Sequence, residues 1–424
     1  MPEIPLTSVM MPSAGLTVHE LGEAVTRIVQ RTRATDMHTH LFAPSFGSLL
    51  LCGAEELLNF HYIVAESFRA HHLPYDDFRH MSRASRSDLI WESLFVQRSP
   101  LSEATSGVLE VGHALGANLR LDALREALCD VPTETYVTRV LDLAGVDSVV
   151  MTNDPLDPVE RAVWDRAPAA HSRFHAALRL DRLLNHYQAV VPELCGLGYT
   201  VHDTLDAQTV VELRRFLDHW LDRMGALYVA FSAGDDFSYP GESTREQLLE
   251  QVILPVCLAR GLPLALMIGA RRQVNKDLEE AGDSLGRASM LPIEALCARH
   301  PDQRFFVTVL SRESQHELVV TARKFHNLMI FGCWWFVNTD SLVTEITRMR
   351  LELLGPTFIP QHSDARVLEQ VIYKWQRARL VIARLLCERY RRLIELGWTV
   401  REDDIERDVR AMLNDNFWGF IRRA

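Results

Sequence analysis

Paired thiols are missing from this chain of 424 residues. Its seven cysteines stand singly, at Cys52, Cys129, Cys195, Cys257, Cys297, Cys333 and Cys387. An odd count with no CxxC argues against a disulfide framework and a thiolate zinc site, and fits reduced thiols in a cytoplasm. Long apolar runs are also missing: no stretch of about 18 apolar residues is free of charges, so no transmembrane helix is expected. The first residues include Pro2, Glu3 and Pro5 and carry no basic stretch before an apolar core, so no secretory signal is expected. Net positive charge is absent. The formal balance is -11, which disfavours non-specific nucleic-acid binding and a basic membrane-facing surface. It leaves room for a small anionic substrate held by a local arginine pocket. Neither GxGxxG nor GxxxxGK[ST] occurs, which removes the dinucleotide and P-loop readings, and no GxSxG elbow is present. Lysine is confined to Lys276, Lys324 and Lys374.

What is present starts with ATDMHTHLF, residues 34–42. Side chains two apart on a strand share a face. His38 and His40 therefore stand side by side, and two neutral imidazoles suit one divalent first-row metal. Chance pairing competes with this reading, since the chain holds 17 histidines.

Along the chain, residues 1–15 read as a loose arm and Leu16 to Arg31 as a leading helix. After the first strand, residues 48–130 carry helical patterns and no convincing strand. That is too long for a simple loop, so it reads as a helical insertion. HHLPYDDFRH within it, with Tyr62, His72, Tyr75 and Arg79 nearby, is either a lid over the site or solvated loop. A regular beat follows. Apolar runs at Gly145–Asp154, Phe174–Asp181, Gly225–Gly234, Leu262–Ala270, Arg304–Leu310, Asn327–Trp335 and Phe358–Asp364 each follow a helical pattern. Eight strands alternating with helices predict an α/β fold, a (β/α)8 TIM barrel with a helical insertion after strand 1 and a helical C-terminal region. A doubly wound open sheet has the same rhythm. The expected divisions are 1–33 arm and helix, 34–47 first barrel strand, 48–130 insertion, 131–380 remaining barrel and 381–424 terminal helices.

Barrel active sites lie at the C-terminal ends of strands. The polar residues there are His38 and His40; Asn153 and Asp154; Arg179 and Asp181; Asp235; Arg271; Arg312; Trp334 and Trp335; and His362, Asp364 and Arg366. Closure makes strands one and eight neighbours, so Asp364 would complete a two-imidazole, one-carboxylate metal site. Asp364 could equally cap the helix that follows. Arg366, Arg179 and Arg312 are candidates for gripping a carboxylate through the planar guanidinium fork. Solvated ion pairs are the plain alternative for each. Trp334 and Trp335 suit core packing or a sugar platform. His316 starts a helix, where it either reaches the mouth or merely caps.

TDMHTHLF, TNDPLD, LRLD, the IGA of LPLALMIGA, GCWWFVN and SDARVLEQVIYKWQRAR, in this order, resemble the uronate isomerases of the amidohydrolase superfamily. The resemblance covers about residues 20 to 420. It implies a distorted (β/α)8 TIM barrel and an aldose–ketose isomerase of uronic acids, of the D-glucuronate to D-fructuronate type, using one divalent metal. Zinc suits two imidazoles and a carboxylate; manganese and iron are admissible. By resemblance the metal ligands are His38, His40 and Asp364, with Asp364 also acting on protons. Arg366 falls on the arginine of the family's D-x-R motif and Arg179 on that of its R-P-D motif, where Leu180 replaces Pro. Trp334 and Trp335 match the paired tryptophans. Two places depart from the family pattern. Met267 stands where the family has a histidine before I-G-A, and residues 99–106 lack the aromatic and histidine side chains of N-P-L-Y-H-W-T-H. These departures keep open a hydrolase or decarboxylase acting on a sugar acid or related carboxylate. No lysine sits at a fourth-strand end, which disfavours a carbamate-bridged metal pair. The expected setting is cytoplasmic and homo-oligomeric, with a small sugar acid as the partner and neither nucleic acid nor membrane.

Overall fold

The structure, a computed structural model, describes residues 15–71, 73–128 and 133–423. Most of the expected N-terminal arm, His72 and Cys129 lie outside the described residues. The leading helix runs Val18–Arg31. It starts at a reciprocal capping box between Thr17 and Glu20, which satisfies otherwise unpaired amide groups. Its buried face, Leu21, Ala24, Val25, Ile28 and Val29, follows the helical repeat read from sequence.

The strands are β1 (Ala34–Thr39), β2 (Val146–Asn153), β3 (Phe174–Arg179), β4 (Val229–Ala233), β5 (Leu264–Ile268), β6 (Ala270–Arg271), β7 (Ser284–Leu285), β8 (Phe305–Val309) and β9 (Leu328–Ile330). Seven form one sheet in the order β1-β2-β3-β4-β5-β8-β9, and every pairing in it is parallel. Side chains on its concave face, including Met37, Val150, Ala177, Ala230, Met267 and Phe306, form an inner core capped by Phe417 and Phe420. The opposite face packs on helices through a larger apolar cluster. The result is a curled parallel sheet with helical insertions, a distorted barrel-like architecture.

The eighth expected strand, residues 358–364, differs from expectation. It forms no regular ladder, yet it bonds to both edges of the sheet. Ile359 N–H donates to Ile330 O (3.0 Å) and Gly332 N–H to Ile359 O (2.8 Å) on the β9 side. On the β1 side, Asp364 N–H donates to His38 O (3.2 Å) and His40 N–H to Ala365 O (2.8 Å). Two residues explain the irregularity. Pro360 has no N–H to give, and Asp364 adopts φ +51°, which breaks the pleat. A second departure is the β6–β7 antiparallel pair, which was not expected from the sequence. It projects residues 272–283 beyond the end of β5.

Residues between β1 and β2 include helices Ala54–Leu58, His61–Ala70, Tyr75–His80, Arg83–Trp91, Glu103–Ala114 and Leu121–Ala127. Ser102 caps the fifth of these by accepting from Thr105 N–H, so the divergent 99–106 stretch ends in a helix start. The chain finishes with helices Gln370–Glu395, Glu402–Arg410 and Asn416–Arg422. The first begins six residues beyond Asp364, so Asp364 is not its cap. No helix among the described residues is long and apolar enough to cross a membrane.

Candidate metal centre

His38, on β1, and His40, just past its end, meet Asp364 as the spacing predicts. Their Nε2 atoms lie 3.7 Å and 3.4 Å from Asp364 Oδ1. One donor atom from each of the three residues falls within 4.8 Å of the others. The two rings stand nearly perpendicular, at 86° with centroids 5.5 Å apart. Thr152 orients His40: its hydroxyl donates to Thr39 O (2.8 Å) and lies 3.2 Å from His40 Nδ1. A hydroxyl whose one hydrogen is already given must accept from the ring. Nδ1 therefore carries the hydrogen and Nε2 turns a lone pair toward Asp364.

Electrostatics sharpen this arrangement. Burial pushes His38 well below its ordinary pKa, and the neighbouring His362 and His40 add to that. Burial also lowers His40, against the pull of Asp364. Lone pairs on neutral imidazoles thus face the Asp364 carboxylate, a repulsive arrangement that a cation between them relieves. Asp364 Oδ1 is buried and without a hydrogen-bond partner among the described residues. Such a group is expensive to leave uncompensated. A divalent cation is the species this nitrogen, nitrogen and oxygen set fits.

Asp364 is held in its unusual backbone conformation by buried neighbours. The preceding amide of Ser363 donates to Asp36 Oδ1 (3.0 Å), and Trp375 Nε1 donates to Asp36 Oδ2 (2.8 Å). Lys374 Nζ donates to Ser363 O (2.8 Å). A left-handed non-glycine residue persists only where its surroundings over-determine it. Gly332 has the opposite requirement. At φ +60° a Cβ there would come within 1.6 Å of His362 Nδ1, so only glycine lets the β9 end pass this histidine. His362 is buried with neither ring nitrogen bonded among the described residues, and burial lowers it to about 4.

A small cavity of about 20 Å³ opens beside the three donors. It is lined by His61, Arg179, Ser232, Met267, Arg272, Trp334, Trp335 and Arg366 as well. Arg179, Arg366, Trp334 and Trp335 thus share one cavity with the three donors. Arg179 Nη2 is paired with Asp181 at 2.6 Å. Burial opposes its charge but Asp181 prevails, raising it above the ordinary arginine value. Trp335 packs edge-on to His61 at 5.8 Å and beneath the Arg272 guanidinium at 5.5 Å. Arg312 and His316 are placed elsewhere. Arg312 projects into solvent and pairs with Glu345 at 2.9 Å. His316 is exposed on helix Gln315–Ala322. The short turn after β8 puts both beyond the cavity.

Sequence reasoning missed His61, Ser232 and Arg272. His61 is the first residue of an insertion helix, and nothing in its spacing ties it to the strand ends. The sequence singled out Arg271, whereas its neighbour Arg272, in the turn beyond the two-residue β6, is the one that lines the cavity.

Fold and donor set together define a metal-dependent enzyme with a distorted barrel-like architecture. No family model matches the chain, and no curated protein matches it. Among solved structures, a uronate isomerase from Bacillus halodurans C-125 is 47% identical with a TM-score of 0.95, covering 96% of this chain and 98% of that one. A uronate isomerase from Thermotoga maritima is 15% identical, with a TM-score of 0.73 over 99% of this chain and 100% of that one. A glucuronate isomerase from Caulobacter crescentus is 14% identical, with a TM-score of 0.72 over 99% of this chain and 97% of that one. The last two likenesses speak for the fold alone. On the strength of the first, the chain belongs to the uronate isomerase family.

Proposed function

We propose that the protein interconverts a hexuronic acid with its keto isomer, of the D-glucuronate to D-fructuronate type. The observation that carries this is the convergence of His38, His40 and Asp364 donor atoms beside arginines suited to a sugar carboxylate. In this reading residues 358–364 serve as the eighth strand of a distorted (β/α)8 barrel, which brings Asp364 to the mouth. His38, His40 and Asp364 would hold one divalent ion, with zinc the first choice and manganese or iron admissible. When bound, such an ion polarises a carbonyl oxygen and lowers the energy of an enediol.

The side chains divide the remaining work. Asp364 removes the proton at C2 and returns it at C1, while the hydroxyl proton passes from O2 to O1, so no co-reactant is consumed. Arg366 and Arg179 receive the distant carboxylate or neighbouring hydroxyls. Trp334 and Trp335 wall the cavity and limit water. Replacing Arg366 with Met should raise KM for acidic sugars far more than for neutral ones, by a binding loss of ~2–5 kcal/mol if the contact is desolvated. The decisive experiment incubates zinc-loaded protein with D-glucuronate in deuterium oxide. Formation of the 2-keto isomer with label at its C1, or label at C2 of recovered D-glucuronate, supports isomerisation through an enediol. Turnover that yields no 2-keto isomer overturns it. Met267, lining the cavity where the family has a histidine, is the one observation that favours a second reading, hydrolysis or decarboxylation of a related carboxylate. Carbon dioxide release or a hydrolysed product with no label would favour that.

A further inference from the structure

Arg179, Arg272 and Arg366 line the reaction cavity, and each already holds a carboxylate. Arg179 pairs with Asp181 at 2.6 Å, Arg272 with Asp283 at 2.6 Å, and Arg366 with Glu280 at 2.5 Å. The three partners differ in burial. Side-chain exposure is 14% for Asp181 and 4% for Asp283, but 67% for Glu280. Buried carboxylates in such pairs are fixed parts of the wall. An exposed one is weakly held and exchanges readily.

The position of the Arg366–Glu280 pair gives this difference a consequence. The cavity beside the metal ligands measures about 20 Å³, room for about one water, so a six-carbon sugar acid does not fit as it stands. Outside lies a second cavity of about 500 Å³, bounded by insertion helices and by residues 277–281. Among the described residues only His61 and Arg366 line both. Arg366 thus stands at the passage between them, tied to a residue on the outer rim. Glu280 belongs to the projection between β6 and β7. Its neighbour Glu279 sits at φ +53°. The projection is docked on helix Tyr75–His80 by Arg79 Nη2 donating to Asp277 O (2.8 Å) and Asn275 Nδ2 donating to Tyr75 Oη (3.2 Å).

We propose that Glu280 is a specificity-determining residue: it fills the anion position on Arg366 and yields it to a substrate carboxylate, so that passage inward favours acidic sugars. The proposal rests on the reading of Arg366 as a carboxylate receptor. Exchange of one carboxylate for another keeps Arg366 paired throughout. A neutral sugar offers no charge in exchange and does not compete with Glu280 for Arg366.

The test uses Glu280→Gln in the full chain, with D-gluconate as an open-chain anion lacking the reactive aldehyde and D-glucitol as its neutral counterpart. Calorimetry should show D-gluconate binding more tightly in the variant, by up to about fivefold, the range set by an exposed ion pair. D-glucitol affinity should not change. Amide hydrogen exchange over residues 275–283 should quicken in the sugar-free variant. Unchanged D-gluconate affinity, an equal gain for D-glucitol, or unchanged exchange each overturns the proposal. Failure of the underlying reading shows separately: Arg366→Met would then bind D-gluconate as well as the natural chain does, whatever Glu280 does.

Discussion

The two walls of the cavity are built on opposite terms. On the β1 side, the backbone beside Asp364 is fixed by Asp36, Lys374 and Trp375, all nearly inaccessible to solvent. On the opposite side, the projection between β6 and β7 is joined to Arg366 and Arg79 by pairs whose acidic members stand in water. Buried polar contacts are costly to break because nothing replaces them. Exposed pairs are replaced by water at little loss. The metal-ligand wall is thus preorganised and the entrance wall is exchangeable, the division a site needs when it must both hold an ion and admit a sugar.

The largest effect should come from the fixed wall. Asp364→Asn removes the one charge among the three donors. Turnover of D-glucuronate should fall on the order of 10³-fold or more, with loss of bound metal by elemental analysis. Metal retained at full occupancy in that variant would break the assignment. Lys374→Met comes next. It leaves Ser363 O without its donor, and should lower stability by about 1–3 kcal/mol in urea unfolding. Metal affinity should drop about 10- to 100-fold as Asp364 loses its support. Unchanged metal affinity beside lowered stability would make Lys374 a packing residue and blunt the contrast between the walls.

A pH measurement sharpens the comparison further. Glu160 accepts from Asn153 Nδ2 (3.2 Å) and Asp154 N–H (3.0 Å) at the end of β2. Burial raises it to about 7, although those hydrogen bonds work the other way. The folded state therefore keeps its proton where the unfolded chain has lost it. That stability is fully present below about pH 4.5 and is lost as pH rises through about 7. Glu160→Gln should flatten the fall in stability across this window, by on the order of 1–3 kcal/mol between its ends. An unchanged slope in thermal unfolding would show that another group sets it.

How far each wall could be read from sequence follows the same division. His38, His40 and Asp364 were legible because strand alternation fixes the first two on one face and the order of strands brings the third beside them. The clamp behind Asp364 was not. Asp36 lies 327 residues before the Ser363 amide it holds, Lys374 and Trp375 reach back from the following helix, and a left-handed φ at an aspartate leaves no periodic trace. The seven-stranded parallel sheet followed from the regular beat of apolar runs and helices. Its irregular eighth member did not, because Pro360 and Asp364 interrupt a ladder that the apolar pattern alone implies. On the entrance wall, the β6–β7 projection was invisible, since two-residue strands are shorter than any alternation can register. Glu280 and Arg272 were hidden with it. Arg312, which reads from sequence as a strand-end arginine, lies outside the small cavity and pairs with Glu345. It follows β8 as Arg179 follows the body of β3, and sequence order cannot tell a side chain aimed at the mouth from one aimed at solvent.

Arg312 therefore supplies the smallest expected effect and the cleanest boundary. Its guanidinium pairs with Glu345, and their side chains are 56% and 40% exposed. An exposed pair of this kind contributes roughly 0–1 kcal/mol. Arg312→Ala should leave KM for D-glucuronate, metal content and D-gluconate affinity unchanged, with a stability change inside that range. Arg312 does not line the small cavity with Arg366, so no rearrangement limited to the β6–β7 projection would bring it to the sugar. A raised KM for acidic sugars in this variant would mean that the β8 turn also moves on binding. The exchangeable wall would then extend around the mouth to β8, and the contrast would be between one fixed segment and the whole remaining rim.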